Sequence, residues 1–234
     1  MGKQLVLAGG GHAHMLVLAQ LGRITGSGIA VTVVQPSPFH YYSGMGPGML
    51  GGFYLPEQIR FDTRKTVESG GGTFLQDRLQ AIDPTEKTVS LASGRVLPYD
   101  ALSLNIGSEV STPISDGKED GVFFVKPIEG LVRARERFLA LAARGPVDVA
   151  VIGGGASAVE ICGNLMGLAH RKRLHPPRIR MFAREGVLPN RPASVVRRVR
   201  QSLEGRGVSI QEKVSVQRVE AGRLWTDAGE EQRA

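Results

Sequence analysis

The chain of 234 residues has one cysteine, one tryptophan and only 6% aromatic residues. A single cysteine excludes an internal disulfide and any Cys-x-x-Cys redox pair within the chain. Cys162 reads as a small packed residue inside a helix, since free cysteines are commonly buried and inert. The five histidines, at positions 12, 14, 40, 170 and 175, lack the usual metal-ligand company, so no metal site is expected. Long apolar runs are missing too. The N-terminal apolar region is cut by Gly9-Gly10-Gly11 and two histidines, and reads neither as a membrane span nor as a signal peptide. A cytoplasmic protein is the resulting expectation.

Acidic residues are outnumbered, 22 against 29 Lys and Arg, for a net charge of +7. Much of the excess lies in His170-Arg171-Lys172-Arg173-Leu174-His175-Pro176-Pro177-Arg178 and in Arg197-Arg198-Val199-Arg200. No nucleic-acid-binding motif accompanies these runs, so a solvated connecting loop is the preferred reading over a contact with nucleic acid or lipid headgroups.

Against these absences stand two glycine-rich turns, Gly9-Gly10-Gly11-His12-Ala13-His14 and Gly153-Gly154-Gly155-Ala156-Ser157-Ala158. Each follows a short apolar strand, Leu5-Val6-Leu7-Ala8 in one case and Val147 to Ile152 in the other, and each opens a helix. Such a turn aims free backbone N–H groups at a pyrophosphate; its first two motif glycines allow the tight bend and the close approach, and its third small residue lets helix and strand pack closely. Ala158 satisfies the third position, whereas His14 departs from it, as a larger helix–strand spacing, a ring pointing past the seam or an ordinary helix histidine would allow. The first helix is expected to run from His12 to Leu21.

At the end of the following strand an acidic residue usually grips the adenosine ribose. The first unit has Gln35 there, which can still hydrogen-bond a ribose hydroxyl without charge assistance. The second has Ile179 to Ala183 running into Arg184 and then Glu185. Arg184 suits a 2′-phosphate, and equally reads as a solvated charge at a strand end.

Short strands at Thr73 to Ile82, Lys87 to Leu91 and Arg95 to Leu97 suggest an antiparallel meander, and Val214 to Val219 with Arg223 to Thr226 suggest a second. Pro113 to Gly121 suits a crossing between domains and Glu129 to Ala143 a helix, while Asp227 to Ala234 reads as a polar tail. The expected fold is α/β, with two Rossmann-like dinucleotide-binding domains over residues 1–112 and 113–234. Each combines a parallel sheet with an antiparallel meander.

The glycine turns, Tyr41-Tyr42-Ser43-Gly44-Met45-Gly46-Pro47-Gly48-Met49, Tyr99 to Ser108 and Gly153 to Glu160 together resemble the pyridine nucleotide-disulfide oxidoreductase superfamily. Within it, the chain is most similar to type II NADH dehydrogenase-like flavoproteins of the branch associated with selenophosphate synthetase. The resemblance implies an FAD domain into which an NAD(P)H domain is inserted. It assigns Gly9, Gly10, Gly11, His12, Ala13 and His14 to the FAD pyrophosphate, Gln35, Pro36 and Ser37 to the adenosine, and the Leu79 backbone to the adenine. Tyr42, Ser43, Gly44 and Met45 would lie near the flavin ring, and Asn105, Ile106 and Gly107 at the crossover, where Asn105 and Ile106 replace the family's small pair. Gly153, Gly154, Gly155, Ala156, Ser157 and Ala158 would hold the NAD(P)H pyrophosphate. Glu160 would orient the nicotinamide.

The implied activity is hydride transfer from NAD(P)H to the flavin, with electrons passed to a small-molecule acceptor such as a quinone. The cofactors carry that chemistry while the protein sets distance and orientation. The resemblance also suggests a peripheral contact with the inner face of a membrane and a homo-oligomer. Measured against the family, the chain is expected to lack the returning FAD segment. That leaves a truncated fragment or a non-catalytic dinucleotide-binding module as alternatives, with a methyltransferase-like or purely structural doubly wound domain behind them.

Overall fold

Side chains along Gln4–Ala8 alternate between the two faces of a sheet, and both faces are covered. Leu7 joins Leu18, Leu21, Val31, Val33 and Val67 in one core cluster, while Val6 joins Val34, Val89 and Leu91 in another. A strand apolar on both sides is what a parallel sheet sandwiched between two layers requires.

The computed structural model describes residues 2–110, 114–115, 120–220, 222–229 and 231–233. In chain order it begins with β1 (Gln4–Ala8), α1 (His12–Leu18), α2 (Leu21–Gly26), β2 (Ala30–Gln35), β3 (Phe39–Tyr41) and α3 (Gly46–Leu50). There follow β4 (Arg60–Asp62), α4 (Thr63–Ser69), β5 (Thr73–Gln76), β6 (Leu79–Asp83), β7 (Thr88–Leu91), β8 (Val96–Pro98) and β9 (Ala101–Leu104). The remainder is α5 (Glu129–Ala142), β10 (Asp148–Ile152), α6 (Ala156–Arg171), β11 (Arg178–Ala183), α7 (Ala193–Glu204), β12 (Ser209–Glu212), β13 (Val216–Glu220), β14 (Arg223–Thr226) and β15 (Glu231–Arg233).

The chain divides into two compact units: residues 1–42 with 60–108, and residues 43–59 with 109–234. In the first unit the parallel sheet has the order β5-β2-β1-β9. Helices α1, α2 and α4 cover its Leu7 face, and the antiparallel meander β6-β7-β8 covers its Val6 face. Because β2 and β9 flank β1 on opposite sides, the turn after β1 opens at the switch point of the sheet.

The second unit repeats the plan with the parallel order β10-β11-β12 and the antiparallel sheet β13-β14-β15. Phe182 of β11 packs against Val216, Val219 and Leu224 of the antiparallel sheet. Helix α6 packs on β10 and β11, and α3 packs on α5 and α6.

Three expectations are corrected. The helix read from His12 to Leu21 ends at Leu18, where Gln20 N donates to Val17 O three residues back at 3.0 Å, and α2 starts afresh at Leu21 behind Gln20, whose φ of −113° is not helical. The single strand read over Thr73 to Ile82 is two strands. Asp77 donates its backbone N–H to Gln35 O and accepts one from Arg78, turning the chain so that β5 joins the parallel sheet and β6 the meander. The polar tail contains a third meander strand: Gly229 at φ +77° turns the chain, and β15 pairs with β14, Trp225 opposite Glu231. The crossing read over 113–121 lies largely outside the described residues.

Candidate functional site

In the first unit the turn Gly9 to Gly11 is closed around the end of β9. Gly9 has φ +86° and donates to Val34 O at 2.8 Å, and Gly11 N donates to Asn105 O at 3.2 Å. A Cβ at Gly9 would lie 2.2 Å from Asn105 O, and one at Gly11 would lie 1.5 Å from Asn105 Oδ1. These two positions are therefore glycine because the chain's own crossover occupies the space. Asn105 is half-buried against the turn, while Ile106 and Gly107 are exposed.

The departure at His14 has a clear outcome. His14 is buried, its Nδ1 lies 2.6 Å from Gly9 O and its Nε2 lies 2.8 Å from Ser103 Oγ. The imidazole joins helix, glycine turn and β9 where a small residue would only have let helix and strand touch. Ala13 is exposed on the same helix, as is His12, whose ring meets Tyr42 at 4.3 Å and His40 edge-on at 5.9 Å. Burial, and secondarily the charge of His12, pushes the His40 pKa below its ordinary value.

Gln35 ends β2 buried. Its Nε2 donates to Ser37 O at 2.6 Å and to Phe39 O at 2.8 Å, which leaves Oε1 buried without a partner, directly over Gly10. A buried acceptor with no donor is costly, and a donor such as a ribose hydroxyl fits it. Pro36 is exposed, Ser37 Oγ accepts from Phe39 N, and Leu79 opens β6 with its side chain packed against the second cluster. Ser43, Gly44 and Met45 form a 3-10 turn that belongs to the second unit and leads into α3.

In the second unit the turn is open. Gly153, at φ +137°, donates to Phe182 O at 2.9 Å, and a Cβ there would lie 3.7 Å from Ala158 Cβ, the small-residue seam expected of the motif. A Cβ at Gly154 would lie 2.2 Å from Gly186 O, but one at Gly155 would meet nothing within 4 Å. Gly155 opens a cleft of about 890 Å³, bounded by the turn, by Arg184, Glu185 and Arg191, and by residues 214–217. Ala156 also lines it, and Ser157 is exposed in the same helical turn. At the N-terminus of a 16-residue helix, free N–H groups and the helix dipole favour an anion, and the cradle that Gly155 leaves empty has room for a pyrophosphate.

Arg184 is 73% exposed and pairs with Glu185 at 3.2 Å, so its guanidinium remains open to a further partner. Glu160, in the second turn of α6, is exposed and does not line the cleft; its backbone carbonyl accepts from Asn164 Nδ2. Cys162 is buried in α6 with its thiol pushed up to about 12 by desolvation, and among the described residues no cluster could hold a metal ion. No helix among them is long and apolar enough to cross a membrane.

Sequence reasoning missed Arg191, on the cleft beside Arg184, and Glu212, which accepts from Val187 N in the cleft wall. Neither carries a periodic or motif signal: Arg191 lies in an irregular loop, and Glu212, at the end of β12, acts on that loop only through a contact 25 residues away in sequence. The only available hint was that Arg191 follows the strand end within a few residues.

Several known proteins share this architecture. Over 107 residues, 46% of this chain and 24% of the relative, it is 26% identical to the mitochondrial sulfide:quinone oxidoreductase of Dictyostelium discoideum. The solved NDH2 of Plasmodium falciparum in complex with NADH superposes with a TM-score of 0.81 at 16% identity, covering 100% of this chain and 53% of that one. An engineered water-forming NADPH oxidase derived from the Lactobacillus brevis NADH oxidase, bound to NADPH, gives 0.82 at 19% identity, with 99% and 52% covered. The chain thus spans about half the length of these solved proteins, and its match to the curated relative covers about a quarter of it. The family profile described as pyridine nucleotide-disulphide oxidoreductase matches residues 3–232, and the chain belongs to that family.

Proposed function

We propose that this chain is the dinucleotide-handling part of an FAD-dependent NAD(P)H oxidoreductase, with the first unit holding FAD and the second holding the nicotinamide dinucleotide. The observation that carries the reading is the open Gly155 beside a cleft of about 890 Å³ with two arginines on its rim. In it the α6 N-terminus takes the pyrophosphate, and Arg184 and Arg191 take the adenosine end. Tyr42 borders the flavin, and the family resemblance gives Glu160, exposed on α6 outside the cleft, the role of orienting the nicotinamide. On the first unit, the unpartnered Gln35 Oε1 accepts from a ribose hydroxyl of FAD. When bound, FAD would accept hydride from the dinucleotide and pass two electrons to an acceptor, for which the name of the Dictyostelium relative suggests a quinone.

NADPH is favoured over NADH. An alanine, Ala183, stands at the strand end where a ribose-gripping acid is usual, followed by Arg184. The substitutions named for the engineered NADPH oxidase include an aspartate replaced by alanine and the following alanine by arginine, the same ordered pair.

A second reading has its own observation. Asn105 fills the space in front of Gly11, which favours a protein that binds a dinucleotide at the second turn without a flavin at the first. The visible absorption spectrum before and after anaerobic NADPH separates the two. A flavin spectrum that bleaches supports the oxidoreductase. A colourless protein that binds NADPH but stays colourless with added FAD leaves only the second reading, and no dinucleotide binding overturns both.

A further inference from the structure

One wall of the cleft, residues 184–191, belongs to neither a strand nor a helix and is nevertheless fixed from three sides. Gly186 turns at φ +93° and donates to Ala183 O at 2.9 Å; Leu188 N donates to Gly154 O at 2.8 Å, tying the loop to the glycine turn. The third tie is a carboxylate. Val187 N donates to Glu212 Oε1 at 3.0 Å, and Glu212 Oε2 accepts from Arg200 Nη2 of α7 at 2.5 Å. The pair is only 37% and 29% exposed, and a Cβ on Gly186 would sit 3.3 Å from Glu212 Oε1, so the loop lies tightly over the carboxylate. Lys213 N returns to Ala183 O at 3.0 Å, closing the link between the ends of β11 and β12. Both arginines of the cleft, Arg184 and Arg191, are carried by the loop that this carboxylate holds.

We propose that Glu212, locked by Arg200, is a positioning residue for dinucleotide selection: it holds the 184–191 loop so that Arg184 and Arg191 stand ready for a 2′-phosphate. This rests on the NADPH reading of the same cleft. Glu212 touches no ligand in this role; it acts through the Val187 N–H. Removing the carboxylate leaves a sheltered backbone donor without its acceptor and frees the loop, which weakens a contact requiring two guanidinium groups in register more than it weakens pyrophosphate binding at the helix N-terminus.

The test is the affinity of the full chain for NADPH and for NADH by calorimetry, with 2′,5′-ADP as a probe of the phosphate subsite. Glu212→Ala is expected to weaken NADPH and 2′,5′-ADP by about tenfold while moving NADH by less than about threefold. Glu212→Gln, which keeps an acceptor for Val187 N, is expected to recover most of the loss, and Arg200→Gln to fall between. Thermal melting checks that each variant is folded; should Glu212→Ala not fold, the Gln variant and Arg200→Gln carry the comparison. Wild-type protein that binds neither dinucleotide overturns the cleft reading and the latch with it. A wild type that prefers NADH overturns the NADPH reading and the latch with it, whereas NADPH-preferring binding whose NADPH-to-NADH ratio is unmoved by these variants overturns the latch alone.

Discussion

His14 Nε2 lies 2.8 Å from Ser103 Oγ while its Nδ1 lies 2.6 Å from Gly9 O. A carbonyl can only accept, so Nδ1 carries a proton, and in the neutral ring Nε2 accepts from the Ser103 hydroxyl. One buried ring thus fixes the first glycine turn to a strand 89 residues away. His14→Ala would orphan the Gly9 carbonyl and open a cavity, at an expected cost of about 2–4 kcal/mol in urea unfolding. Ser103→Ala should cost about 1 kcal/mol, and the double variant less than the sum. Fully additive losses would show that the two residues do not act through this bond.

The glycines of the second turn separate folding from binding. Gly155→Ala adds a Cβ in open space at an ordinary φ of −80°, so the melting temperature should hold while NADPH affinity falls by about tenfold or more as the methyl enters the pyrophosphate cradle. Gly154→Ala meets Gly186 O at 2.2 Å and should destabilise the fold itself. Equal affinity of the Gly155→Ala variant and the parent protein would remove the cradle from the proposal.

His40 makes stability depend on pH. Its pKa lies below 6.5, chiefly through burial and then through His12. Below the unfolded value the unfolded chain binds more protons than the folded one, so the contribution is destabilising on acidification and absent well above pH 6.5. Urea midpoints of wild-type protein should therefore fall as pH drops from about 7 to about 5, and His40→Asn should flatten that slope. An unchanged slope in the variant would assign the dependence to other groups.

Cys162, buried with its thiol at about 12, should be inert in the native state. Mass spectrometry after iodoacetamide at pH 8 is expected to find no adduct until denaturant is added. Rapid native labelling would mean that α6 opens locally.

The two glycine turns, their preceding strands, the α/β class and the family likeness were legible in the sequence, because a tight turn and an apolar strand are specified by residues within about ten positions of one another. So was the oddity of His14, though not its purpose. What the tertiary structure decided depends on partners far along the chain. Ser103 gives His14 its role, Asn105 fills the first turn while Gly155 leaves the second open, and Glu212 reaches back to Val187. Thr73–Gln76 left the meander for the parallel sheet, and Glu231–Arg233 became a strand, because pairing is settled by the neighbouring strand that offers free N–H and C=O groups and not by local composition. Local sequence therefore determined where the two glycine turns fall, and long-range packing determined that Asn105 lies against Gly11 while Gly155 faces open space.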